Sequence, residues 1–185
     1  DTIRNIPVPA VADPDIPIGK GLLMTFGALV RHPFRFFSEK QMRTPILRPL
    51  LFAVIVRYLF YLLAVGTDWL MTGIAPPMLA YAGGLMDVVA EMFILGGILH
   101  LALWLLSAGP GGFTVTFNTL AYTRIVAVFS PLPVVGWFVY ALLAFLYPVA
   151  ALARAHKVPA WRTLLAVMLP GLLLCLLVAM IQNAR

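Results

Sequence analysis

The sequence predicts an all-α membrane protein of about five transmembrane helices, preceded by an amphipathic helix lying in the membrane plane. Three observations carry that prediction. Of the 185 residues, 62% are hydrophobic and only 11% charged, with a mean hydropathy of +0.98. Soluble domains lie nearer half apolar and a quarter charged, and the excess is what lipid-facing surface requires. The apolar residues fall into separate runs of crossing length joined by short loops. The charges, net +6, cluster between those runs. Positive charge beside membrane-spanning segments explains that pattern better than nucleic-acid binding does.

Residues 1–19 form a proline-rich N-terminal tail, with Pro7, Pro9, Pro14 and Pro17 among small and charged residues. Proline at that density disfavours helix and favours an extended path, either as a solvated tail or as a strap along a partner. Residues 20–48 are a basic segment. Within it Leu22, Leu23, Phe26, Leu29 and Val30 recur at helical spacing between Lys20 and Arg31. That run is shorter than the roughly 20 residues a crossing needs, so it suits an in-plane helix with basic residues at headgroup level. Arg35, Lys40, Arg43 and Arg48 continue the charge toward the first crossing, and the segment should be drawn to anionic lipids at the cytoplasmic face.

Residues 49–181 hold the crossings. The first is 49–66, with Pro49 suited to a helix start and Arg57 near its middle. The stretch from Thr67 to Gly84, which contains Asp68 and no basic residue, reads as a loop. The second crossing, 85–106, carries Asp87 and Glu91 four apart, a Gly96-Gly97 pair suited to close helix approach, and His100. A glycine turn leads to the third, 114–130. Thr114, Thr116, Asn118, Thr119, Thr123 and Arg124 make it the most polar of the five, so neighbours should shield it from lipid. A hinge at Pro131 and Pro133 precedes the fourth crossing, 134–153, with Pro148 inside it. A basic loop with Arg154, His156, Lys157 and Arg162 precedes the fifth, 164–181, with Pro170 inside it. The basic residues before the first crossing and those between the fourth and fifth share one side. That side is the cytoplasmic one by the positive-inside rule, leaving the C-terminus outside.

The candidate functional residues are the intramembrane polar ones: Arg57, Asp87, Glu91, Arg124, His100 and Asn118. A charge in hydrocarbon costs about 2.5–3.5 kcal/mol even on the gentlest scale, so these require partners. By helical rise, Glu91 lies roughly one to two turns from the outer end and Arg124 and Arg57 roughly two to three, within reach of long arginine side chains. Glu91, with Asp87, is expected to pair with Arg124 or Arg57. The pair either locks the first three helices together or forms the core of a proton or ion path. His100 has no second histidine at i+4 and no cysteine nearby, so it is expected to be a helix contact and not a metal ligand. His32 and His156 fall in basic segments and are expected to be solvated. The glycines 109, 111 and 112 have no following Lys-Ser/Thr and read as a turn, not a phosphate loop. No serine has a base near it in sequence, and the lone Cys175 excludes an internal disulfide. No catalytic residue, metal or cofactor is expected.

The order of HPFRFF, HLALWLL, GPGGF, TFNTLAYTRI, the PLP hinge and ALARAHKVPAWRTLLAVMLPGLLL resembles the bacterial branch of the Yip1 domain family, over roughly residues 30 to 181. The acidic-aromatic-glycine-proline motif of eukaryotic members has no counterpart, and their vesicle-trafficking role is not carried over. The resemblance implies about five crossings in a bacterial inner membrane, a cytoplasmic N-terminus, and an interaction or membrane-organising protein without enzymatic activity. Besides an enzyme or redox carrier using His100, for which no supporting spacing is present, two function classes follow. One is a non-enzymatic accessory subunit or scaffold bound to another integral membrane protein, with self-association also open. The alternative is a small transporter, channel or lipid-handling protein built on the buried Arg/Glu group.

Overall fold

The computed structural model describes residues 15–38, 42–75, 77–133 and 135–183, without the side chains of 78–84, 174–178 and 181–183. Tail residues 1–14, Lys40 and the C-terminal Arg185 lie outside that set. Among the described residues the chain is all helix and no strand: α1 Ile18–Arg31, α2 Leu47–Thr72, α3 Met78–Leu105, α4 Gly112–Thr123 running into a 3-10 segment Arg124–Phe129, α5 Val135–His156 and α6 Ala160–Asn183. Among the described residues, three stretches are long and apolar enough to cross a membrane: Leu47–Thr72, Leu85–Leu105 and Val135–His156; Ala160–Leu173 is a shorter apolar stretch. α4 with its 3-10 extension reaches about 30 Å, because the 3-10 form rises about 2.0 Å per residue against 1.5 Å in an α-helix.

α4 is the centre of the molecule. Every residue from Val115 to Thr123 is buried. α2, α3 and α5 pack against it, and α6 closes the far side by packing on α3 and α5. Its threonines return their hydroxyls to the helix backbone, Thr119 to Val115 O (2.7 Å) and Thr123 to Leu120 O (2.8 Å). These two hydroxyls are thereby satisfied from within and the polar helix is enclosed from without.

The gap between α2 and α5 is filled by the linker that follows α1. Phe36, Phe37 and Met42 are buried and share one core cluster with Phe52 of α2, Tyr122 of α4 and Tyr147 of α5. Phe36 meets Tyr122 edge-on at 5.1 Å and Phe37 meets Tyr147 at 5.6 Å, favoured ring geometries. The Tyr147 hydroxyl donates to Pro33 O (3.0 Å), and Arg154 donates to Phe34 O (3.3 Å). The core therefore does not divide at residue 48; the linker is part of it.

α1 also differs from the expected single apolar face. Gly21, Thr25 and Leu29 are buried against the protein, and Leu22 and Phe26 pack on the same core. Leu23 and Val30 continue the apolar arc outward, exposed at 76% and 61%. The helix thus sits at a boundary, with one flank on the bundle and the other left apolar.

The stretch read as a loop from Thr67 to Gly84 is mostly helix. α2 runs on to Thr72, and α3 begins at Met78. Thr67 and Thr72 bond the carbonyls four residues back, and Gly73, at φ 71°, ends α2. Polar residues there are those of a helix end emerging from the apolar layer, which resembles loop composition. At the opposite end of the bundle, α3 and α5 terminate alike. Ser107 and Lys157 take left-handed φ of 52° and 56°. Ala108 N–H reaches Leu103 O and Val158 N–H reaches Ala153 O, each five residues back, the bond that closes a Schellman cap.

The proline hinge works through Gly136. It is buried in the first turn of α5, and a methyl group there would overlap the Phe129 carbonyl and the Leu132 Cβ. Gly97, by contrast, has nothing within 4 Å of an added Cβ; only Gly96 faces a neighbour, Phe117 at 3.5 Å. Gly136→Ala is expected to destabilise by at least the roughly 1–3 kcal/mol of core overpacking. Gly97→Ala should leave stability unchanged or slightly raised. Thermal unfolding in detergent checks both.

Candidate functional site

The packing of α3 on α4 brings the charged pair together. Glu91 lies on α3, and Arg124 follows Thr123 where α4 tightens into the 3-10 segment. Arg124 Nη1 donates to Glu91 Oε1 at 2.8 Å; the arginine side chain is 12% exposed and the glutamate 32%. The short distance marks a charge-assisted bond, and the pair ties α3 to the buried centre. A cavity of about 220 Å³ adjoins it, lined by Thr123, Arg124, Leu95, Ala144, Pro148 and Pro170 among others.

A second polar group lies nearer the basic end. Gly111 N–H donates to His156 Nδ1 (3.2 Å). That nitrogen is therefore the acceptor, so Nε2 carries the hydrogen and donates to Thr116 Oγ1 (3.0 Å). The threonine's own hydrogen is then free for His100 Nδ1 at 3.0 Å, with Gly112 O a longer alternative at 3.4 Å. The chain Gly111–His156–Thr116–His100 links the glycine turn, α5, α4 and α3 with one hydrogen per bond. His156 is buried at 2% exposure, which corrects the expectation of a solvated histidine. α5 runs on to residue 156, and Val149, Leu152 and His156 share its buried face. That i, i+3, i+7 spacing was the signal available in the sequence; the surrounding basic residues masked it.

The remaining candidates go elsewhere. Asn118 turns its amide to the linker, donating to Met42 O (2.8 Å) and Thr44 O (2.7 Å). Arg57 lies over the Tyr140 ring of α5 at 5.4 Å to the centroid, a cation–π contact. Asp87 is exposed, and among the described residues no hydrogen bond or ion pair engages it. The six residues thus form no single network: Glu91 takes Arg124, His100 joins Thr116 and His156, and Asn118 and Arg57 hold the linker and α5. Among the described residues no three His, Cys, Asp or Glu side chains gather as a metal site would require.

The Yip1 domain family model matches residues 26–181. The chain belongs to the Yip1 domain family. The match starts at Phe26, inside α1, so the Yip1 domain takes in the aromatic linker as well as the bundle. It reaches Ile181 in α6 and so spans every polar group described above. No curated protein and no solved structure matches the chain significantly.

If the histidine chain holds three elements of the Yip1 domain together, Thr116→Val should cost about 1–3 kcal/mol, since His156 Nε2–H loses its buried acceptor. Thr114→Val, outside the chain, should cost less. A Glu91→Gln, Arg124→Gln double-mutant cycle should return a coupling of about 1–3 kcal/mol. Chemical or thermal unfolding of the purified variants measures each.

Proposed function

We propose that this Yip1 family membrane protein is a non-enzymatic accessory subunit or scaffold that docks laterally on another integral membrane protein. The observation that carries the reading is Asp87. It stands exposed on α3, two residues into the apolar stretch that begins at Leu85, beside exposed Met86, Ile94, Ile98 and Leu101. An uncompensated carboxylate on an apolar helical surface is costly in lipid, and a donor on a neighbouring helix offsets that cost. Glu91, Arg124, His100 and Asn118 are bonded within the bundle, and Arg57 rests on the Tyr140 ring. The proline-rich residues 1–19 supply a second contact, extended along the partner, since proline-rich chain has less freedom to lose on ordering.

In this reading the chain crosses a bacterial inner membrane five times. The α1 end and the basic loop with Arg154, Lys157 and Arg162 face the cytoplasm, and the C-terminus faces out. A cysteine in place of Asn183 should react with an impermeant thiol reagent added outside intact cells; labelling only after lysis would reverse the orientation.

A second reading, a small transporter, channel or lipid-handling protein, draws support from the cavity beside Arg124, whose wall includes Pro148 and Pro170 from within the two helices. A photo-crosslinking residue at Ile94 separates the two. Crosslinking to one membrane partner, weakened by Asp87→Asn, supports docking. Protein that purifies alone and carries substrate flux in liposomes supports transport.

A further inference from the structure

Where α1 meets the end of α5, four basic side chains surround one hollow. A cavity of about 310 Å³ is lined by Arg31, His32, Pro33, Phe34, Arg35 and Arg154. Three guanidinium groups line it, and among the described residues no acidic side chain does. Arg31, His32, Arg35 and Arg154 are all exposed, so their mutual repulsion is softened by solvent but not removed. The hollow is also built rather than incidental. Its two walls come from parts of the chain more than a hundred residues apart, and they are pinned together by the Tyr147–Pro33 and Arg154–Phe34 hydrogen bonds. Arg154 lies over the Phe34 ring at 5.9 Å to the centroid, which aims its guanidinium beside the hollow while using one N–H for the carbonyl.

From this geometry we infer that the Arg31–Arg35–Arg154 hollow is a binding site for the phosphate group of a membrane lipid carrying a terminal phosphomonoester. Arginine presents a planar fork of donors that matches phosphate oxygens two at a time, and it keeps its charge at any physiological pH. A dianionic phosphomonoester offsets three cations better than a phosphodiester whose charge is masked by a choline. The lipid source is argued by the surroundings. Exposed Val30 and Phe34 flank the hollow, and Leu23 continues that apolar strip along α1, so an acyl chain finds apolar surface beside the headgroup. This goes beyond a general attraction of basic residues to anionic lipid, because it requires Arg154, from the other end of the sequence, to act with Arg31 and Arg35.

The test uses the full chain in neutral detergent at about 0.15 M salt, where charges interact over only about 8 Å. Dioctanoyl phosphatidic acid is titrated against the unfolding temperature, alongside dioctanoyl phosphatidylcholine and inorganic phosphate. Expected is a saturable rise with phosphatidic acid alone, weakened at least about tenfold by Arg154→Gln or Arg31→Gln and unchanged by Lys20→Gln, which removes equal charge outside the hollow. Among the described residues no hydrogen bond or ion pair engages the Arg31 side chain, so its variant remains informative if Arg154→Gln folds poorly. Equal loss in Lys20→Gln, or an equal response to phosphatidylcholine, overturns the site. An equal response to inorganic phosphate overturns the lipid assignment.

Discussion

A helix carrying Thr116, Asn118, Thr119, Thr123 and Arg124 can exist in a membrane only if protein surrounds it. That constraint organises the rest of the molecule. An unsatisfied polar group in hydrocarbon costs several kcal/mol, so α4 is placed at the centre with every residue from Val115 to Thr123 buried. Four helices make most of the enclosure. They leave an opening between α2 and α5, and the linker after α1 closes it with Phe36, Phe37 and Met42. Asn118 then holds the linker by its carbonyls. The most polar helix and the least regular segment are thus each other's cover.

The same constraint explains why the polar groups divide as they do. Each bonds to whichever element walls α4 at its own depth. Arg124 reaches α3, Thr116 reaches α3 and α5 through two histidines, and Asn118 reaches the linker. Such groups behave as pins between neighbouring elements. Asp87 is the exception: it is exposed on the outer face of α3, and among the described residues no hydrogen bond or ion pair engages it.

Much of this was legible in the sequence. Membrane residence, the helical runs, the need to shield the most polar segment and a pairing of Glu91 with Arg124 or Arg57 follow from hydropathy, spacing and helical rise; the structure selects Arg124. Three features did not follow, for physical reasons. Helix at Thr67–Thr72 looks like loop because helix ends and loops share polar composition once outside the apolar layer. The aromatic plug lacks any periodicity, since Phe36 and Phe37 lie in irregular chain, where no face can be computed. His156 looked solvated because its neighbours Arg154 and Lys157 are exposed; a helix terminus can bury one residue while exposing those on either side. Periodicity assigns a residue to a face but not to a partner. Asp87 and Glu91, one turn apart, therefore end in different surroundings.

The central claim is that the linker and α4 protect one another. Hydrogen–deuterium exchange on the full chain in detergent tests it most directly, comparing the native protein with Phe36→Ala and with Asn118→Leu. The account predicts that either change raises exchange together in residues 32–44 and in 115–123, while the α5–α6 interface around Thr163 keeps its protection. Faster exchange confined to the linker, with α4 as protected as before, would contradict it.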